Sequence, residues 1–253
     1  METQVTETGW GLELRPHTLE PGEELWLEAA AVERVVVVLG GTCCANFQDR
    51  GPSWDSLGKR ADVFDGPGTA LFVPRGRSCL MAARAGGARL AVVAAAGQTE
   101  REPYVVRPEQ VLIEQRGRGT WQREVHTLIG VEQGADHLVV GETFSRSGVW
   151  SGYPPHKHDR DDSPHESNLD ERFLVRVRPP TGFGVLVHYE QGQEREHASV
   201  VRDGDLLSMS RGYHSFVAAG GHEFYYLWAL AGRNRNLRAR TDARHAWLLS
   251  EPR

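Results

Sequence analysis

Short runs of Val, Leu, Phe and Tyr, broken at close intervals by Gly, Pro and Asp, dominate the chain and leave little room for helices. Val35–Leu39, Ala70–Val73, Leu90–Ala94, Leu138–Thr143, Phe173–Val177, Phe183–Tyr189, Leu206–Met209 and Glu223–Ala229 are such runs. Each has the length of a strand and the branched and aromatic residues that suit a pleated, half-buried surface. Two stretches read as helical: a proline-opened turn at Pro108–Val111, and a segment within Thr241–Leu249. Many short strands with few helices predict an all-β fold, a sandwich or barrel in which closure or face-to-face packing hides the sheet edges.

The pattern also echoes itself. Asp65-Gly66-Pro67, a strand, then Arg75-Gly76-Arg77-Ser78 corresponds to Asp203-Gly204-Asp205, a strand, then Arg211-Gly212-Tyr213-His214. Each copy continues into an alanine-rich stretch and an apolar strand, so two copies of one β unit are expected. The polar stretch Gln98–Pro103 reads as the linker, dividing the chain into domains 1–105 and 106–253. Aligned on Arg-Gly, the copies differ at one telling place: Ser78 stands where the second copy has His214.

Composition narrows the function. A formal net charge of −5 with interspersed signs argues against a nucleic-acid partner, which needs a concentrated basic face. Arg116-Gly117-Arg118-Gly119 reads as an ordinary loop. No apolar run approaches the roughly 18 residues of a membrane span, and the acidic, polar N-terminus does not resemble a signal peptide. Three cysteines, two of them adjacent, suit buried thiols in a reducing compartment, so a cytoplasmic location is expected.

Ten of the eleven histidines follow residue 125. In the extended stretch Tyr153-Pro154-Pro155-His156-Lys157-His158, residues two apart point to one side, so His156 and His158 can grip one ion while Lys157 points away. Glu171 opens the apolar run Phe173-Leu174-Val175, and His214 follows the Asp203-Gly204 turn and its strand. Three imidazoles and a carboxylate suit one divalent ion (Zn, Mn, Fe, Co or Ni) with coordination positions left for substrate. With only His17 before residue 125, the N-terminal half lacks metal ligands.

This ordered ligand set resembles the cupin pattern. The chain is similar to the 5-deoxy-glucuronate isomerase family of two-cupin sugar-acid isomerases. The matching residues include Arg60-Ala61-Asp62-Val63-Phe64-Asp65-Gly66, Arg123-Glu124-Val125-His126, Ala135-Asp136-His137-Leu138, Tyr153-Pro154-Pro155-His156-Lys157-His158-Asp159, Arg211-Gly212-Tyr213-His214 and Tyr225-Tyr226-Leu227. The resemblance implies a bicupin, two double-stranded β-helix (jelly-roll) sandwiches with the metal in the second. It implies aldose–ketose isomerisation of a deoxyuronic acid through a metal-stabilised enediolate, in inositol catabolism. A homodimer joined at sheet edges is expected. Arg123 and His126 are candidates for meeting the substrate, and Tyr153 and Tyr213, beside the ligands, are candidate proton donors.

The chain departs from the family where a sugar acid would be held. Phe173 and Val175, which share the face of Glu171, stand where the family has tyrosines, and Trp228 stands where it has asparagine. The stretch Gly182–Tyr189 and Ser210 also differ. A buried substrate hydroxyl left without a partner costs about 1–3 kcal/mol. The alternative readings are therefore a diverged metal-dependent cupin isomerase, lyase or dioxygenase acting on a less polar small molecule, or a small-molecule-binding cupin without catalysis.

Overall fold

The computed structural model describes residues 10–48, 51–192 and 196–250. The fold is all-β, and every strand predicted above lies within an observed strand. Two compact units are formed. One runs to Leu112 and takes in Thr127–Val140; the other is built from Ile113–His126 and from Gly141 onward.

In the first unit, β1 (Glu13–Leu19), β2 (Glu24–Leu27), β3 (Val32–Phe47), β4 (Ser53–Leu57), β5 (Thr69–Val73), β6 (Cys79–Ala96) and β7 (Tyr104–Val106) form a seven-stranded sheet. Its order is β1-β6-β3-β5-β7, with β2 on β6 and β4 on β3. β3 and β6 are long because each serves two ribbons. Before Gly40, β3 pairs with β5 and with the latter part of β6; after Gly41 it pairs with β4 and the first part of β6. The register shifts at Val38/Gly40 and Gly41/Cys43, where bulges bend a strand and sharpen its twist. Val36, Val38, Phe47, Leu57, Leu71, Met81 and Leu90 fill the interior. The segment 127–140 is held through the buried Glu33, whose carboxylate accepts the backbone N–H groups of Asp136, His137 and Leu138 at 2.6–2.8 Å.

Two further antiparallel sheets lie mainly in the second unit. Their strands are β8 (Leu112–Arg116), β9 (Arg123–Ile129), β10 (Leu138–Ser145), β11 (Trp150–Lys157), β12 (Asp170–Arg178), β13 (Phe183–Tyr189), β14 (His197–Arg202), β15 (Leu206–Met209), β16 (Tyr213–Ala218), β17 (Glu223–Ala231) and β18 (Arg240–Thr241). One sheet is ordered β15-β12-β17-β10-β9-β8 and the other β14-β13-β16-β11-β18. Parts of β9 and β10 reach into the first unit. Side chains from the two meet in the interior: Phe173 of β12 packs on Phe216 of β16, and Phe216 on Tyr226 of β17. Interdigitation of inner faces is what binds a sandwich.

The internal echo is structural as well. Gly76 and Gly212, the glycines of the two Arg-Gly turns, both adopt left-handed backbone, at φ 76° and 85°. The proline-opened turn forms at Pro108–Gln110 as a 3₁₀ turn. The C-terminal helix α1 covers only Trp247–Ser250, because Arg240 and Thr241 are taken up in pairing with Lys157 and His156. Among the described residues, no helix is long and apolar enough to cross a membrane.

Candidate active site

His156 lies near the end of β11 and faces His214 of β16 directly across the ladder; His158 follows two residues on. The three rings offer ligand nitrogens that all lie within 4.8 Å of one another. Glu171 reaches in from β12 of the other sheet, its Oε2 3.0 Å from His158 Nε2 and 3.3 Å from His214 Nε2. Alternation along β11 sends Lys157 elsewhere, to Asp159 and Glu166 at 2.5 and 2.6 Å.

Each imidazole is oriented by a backbone carbonyl. His156 Nδ1 lies 2.9 Å from Gly152 O, His158 Nδ1 2.8 Å from Leu169 O, and His214 Nδ1 3.2 Å from Gly212 O. A carbonyl only accepts, so every Nδ1 carries its proton and donates. That assignment leaves three Nε2 positions for a shared partner, the arrangement by which outer hydrogen bonds orient metal-ligating histidines. Three imidazole nitrogens and a carboxylate are a fitting donor set for a divalent transition ion.

The electrostatics agree. Burial, then the neighbouring His214 and His158 rings, pulls His156 down to about 3, so its ring is neutral at ordinary pH. Burial also works against the charged form of His158, but the Glu171 carboxylate outweighs it and raises the net value. Glu171 is opposed by burial too; hydrogen bonds from His158 and His214 overcome this and bring it down to about 2. The carboxylate therefore stays ionised beside His158, whose charged form it favours, and a bound cation could take the place of that charge.

The cluster opens on a cavity of about 80 Å³. The six-stranded sheet supplies Arg116 from β8, Arg123 and Val125 from β9, Thr143 from β10, Tyr226 and Trp228 from β17, and Phe173 with Glu171 from β12. Phe173 and Trp228 are direct cross-strand partners. The Arg123 guanidinium donates to the backbone carbonyls of Trp121 and Tyr153, both at 3.4 Å. Burial lowers its pKa, with Tyr226 opposing and Arg116 reinforcing that shift. Two guanidinium groups, of which among the described residues only Arg116 is ion-paired with a carboxylate (Glu114), suit a carboxylate ligand.

Other sequence candidates lie elsewhere. Val175 is fully buried and does not line the cavity. His126 lies three residues from Arg123, an odd spacing that turns it to the other face of β9; its Nε2 donates to Glu124 at 2.6 Å and its ring packs on Phe144. Tyr153 packs against Trp121, Trp150 and His245, and Tyr213 against Tyr189, neither lining the cavity. Arg116 and Tyr226 are among the cavity residues that were not anticipated. Arg116, read as part of a loop, ends β8, and Tyr226 shares with Trp228 the inward face of β17. Alternation around Trp228 would have pointed to Tyr226; nothing local marks Arg116.

The departures from the family pattern separate in the same way. Phe173 and Trp228 are in the cavity, whereas no residue of Gly182–Tyr189 and not Ser210 lines it.

Comparison with known proteins agrees with this architecture. The 5-deoxy-glucuronate isomerase of Geobacillus thermodenitrificans is 35% identical over 245 residues, 95% of this chain and 88% of its own length. That of Geobacillus kaustophilus is also 35% identical, over 95% of this chain and 87% of its own. The crystal structure of an IolB-like protein of Salmonella typhimurium superposes with a TM-score of 0.90 at 29% identity, covering 95% of this chain and 90% of that one. Oxalate decarboxylase of Bacillus subtilis, at 12% identity, shares the bicupin fold with a TM-score of 0.65, covering 96% and 74%. The KduI/IolB family profile spans residues 2–248, from before β1 into α1 and through every ligand of the histidine cluster, and the chain belongs to that family.

Proposed function

We propose that the chain is a metal-dependent isomerase that interconverts the aldose and ketose forms of a deoxyuronic acid such as 5-deoxy-glucuronate. The observation that carries this reading is one cavity holding both an oriented three-histidine, one-glutamate cluster and two arginines. His156, His158, Glu171 and His214 would hold the divalent ion. When bound, such an ion polarises a carbonyl and stabilises the negative charge of an enediolate. Arg123, with Arg116 beside it, holds the substrate carboxylate and so fixes which carbons lie near the cluster. The names of the Geobacillus relatives support the substrate class.

The same reading makes 1–105 a cupin half without metal ligands and 106–253 the half that carries the centre. It sets the enzyme in the cytoplasm, in inositol breakdown, as a homodimer; the three free cysteines suit a reducing compartment.

A second reading is favoured by a specific feature. Phe173 and Trp228 give the cavity an apolar patch, which fits a diverged isomerase, lyase or dioxygenase acting on a less hydroxylated acid. The test is direct assay of the purified protein on 5-deoxy-glucuronate with added Mn, Zn or Fe, beside His156→Ala. Turnover that disappears in the variant supports the first reading. Absence of turnover with every ion moves the assignment to the second.

A further inference from the structure

We infer that Tyr226 is the residue that moves the oxygen-bound proton in the isomerisation, giving its hydroxyl proton to the substrate carbonyl oxygen and taking one from the adjacent substrate hydroxyl. The inference rests on the isomerase reading above and adds a residue to it. In converting an aldose to a ketose, one oxygen gains a proton and its neighbour loses one. Between those two transfers the same phenolate takes the proton from the hydroxyl-bearing carbon and returns it to the neighbouring carbonyl carbon, so the hydroxyl ends as it began and the isomerisation balances without any other reactant.

Chemistry singles out Tyr226 by elimination. With three histidines and Glu171 committed as ligands, the remaining polar side chains lining the cavity are Arg116, Arg123, Thr143 and Tyr226. A guanidinium does not give up its proton in a protein. Among the remaining two, a phenol is far more acidic than the aliphatic alcohol of Thr143.

Geometry supports the same residue. The Tyr226 ring is fixed between Phe216, with centroids 5.0 Å apart, and Phe173, at 5.5 Å. Its hydroxyl is hydrogen-bonded to Ser151 Oγ at 2.5 Å, and Ser151 is fully buried on β11, the strand that carries His156. The hydroxyl feels both ends of the cavity. Burial raises its pKa most, the Arg123 charge and the hydrogen bonds to Ser151 and Thr143 oppose that, and Glu171 adds to it. The phenol therefore remains a donor at neutral pH. A fixed donor aimed at developing negative charge contributes most where water is excluded. Ser151, which can either donate or accept, keeps the phenol aligned in both halves of the transfer.

The test compares wild type, Tyr226→Phe and Ser151→Ala on 5-deoxy-glucuronate, with bound metal measured in each and kcat determined in H2O and D2O. The expectation for Tyr226→Phe is a fall in kcat of about 10²-fold or more, with KM and metal content unchanged and the solvent isotope effect diminished. Ser151→Ala should give a smaller fall of the same kind. Wild type that turns over beside a Tyr226→Phe variant retaining its kcat overturns the inference alone. So does a variant that loses metal or folding in proportion to activity, because Tyr226 is then structural. Wild type that does not turn over removes the inference together with the reading beneath it.

Discussion

The carboxylate of Asp159 accepts the backbone N–H of Gly212 at 2.9 Å, joining the residue after one candidate ligand to the turn that orients another. Gly212 in turn accepts the Nδ1 proton of His214 through its carbonyl. Gly212 is left-handed, and a Cβ there would meet His188 Nε2 and Tyr189 O at 2.7 Å, so the turn has little freedom to rebuild. Asp159→Ala should therefore weaken metal binding by about 10–100-fold, the usual effect of losing an outer partner of a ligand. Competition against a chromophoric chelator measures it, and an unchanged affinity would show that the turn holds its shape without Asp159.

Glu166 holds the same loop from beneath. It is buried, and one oxygen accepts from Lys157 Nζ at 2.6 Å and from the N–H groups of Asp159 and Arg160 at 2.9 and 3.1 Å. Its other oxygen lies 3.0 Å from Arg240. Lys157 is itself buried, so removing Glu166 leaves an interior cation with Asp159 as its one carboxylate partner among the described residues. Glu166→Ala should destabilise the protein by about 3–5 kcal/mol, with much of the loss recovered when Lys157→Met is added. Urea unfolding of the metal-free protein reads both. A single variant within about 0.5 kcal/mol of wild type, the range of an ordinary surface change, would contradict the argument.

The parts of this site that were legible in the sequence depend on local geometry alone. His156 and His158 could be placed on one side because a strand has a period of two, and Phe173 could be placed beside Glu171 for the same reason. Alternation also decides against grouping His126 with Arg123, since residues three apart on a strand face opposite ways. Arg116 and Tyr226 depend on something no local pattern encodes: that β8 and β17 belong to the sheet whose inner face meets the histidines. Val175 has the right face but lies outside the cavity, because alternation fixes the side and says nothing of position along the strand. The passage of 127–140 into the first unit was hidden likewise, since it hangs on Glu33 pairing with backbone about a hundred residues away.

In the first unit, Asp136 should give a recognisable acid transition. Burial pushes its carboxyl up, but N–H groups of Thr99 and Gln98 and the Arg101 guanidinium outweigh this and bring it down to about 2. Its side chain is only 6% exposed, so these bonds are poorly screened. The folded pKa lies below the unfolded value of about 3.9, so the contribution is fully present above about pH 4 and is lost as pH falls toward 2. Asp136→Asn should cost about 1.5–3 kcal/mol at neutral pH and should flatten the decline in stability below about pH 4. Urea midpoints measured across that range decide it. Parallel curves for the two proteins would show that Asp136 is not the group that titrates.

Trp228 sets the polarity of the cavity, and its place depends on Gly141. A Cβ on Gly141 would lie 2.2 Å from Trp228 Cζ2 and 2.4 Å from His126 O, so only glycine lets the indole lie where it does. With Phe173 directly across the ladder, the two rings line the cavity with carbon where a hydroxyl of a bound acid would find no partner. Each such hydroxyl costs about 1–3 kcal/mol, which disfavours a fully hydroxylated uronic acid relative to its deoxy counterpart. Trp228→Asn restores hydrogen-bonding capacity and adds space. It should shift relative kcat/KM toward the hydroxylated acid by about tenfold, near the low end of that cost, while Gly141→Ala should disturb both substrates alike by displacing the indole. Competitive assays of glucuronate against 5-deoxy-glucuronate measure the ratio. A ratio that stays constant in Trp228→Asn would mean that the substrate's hydroxyls never approach the indole.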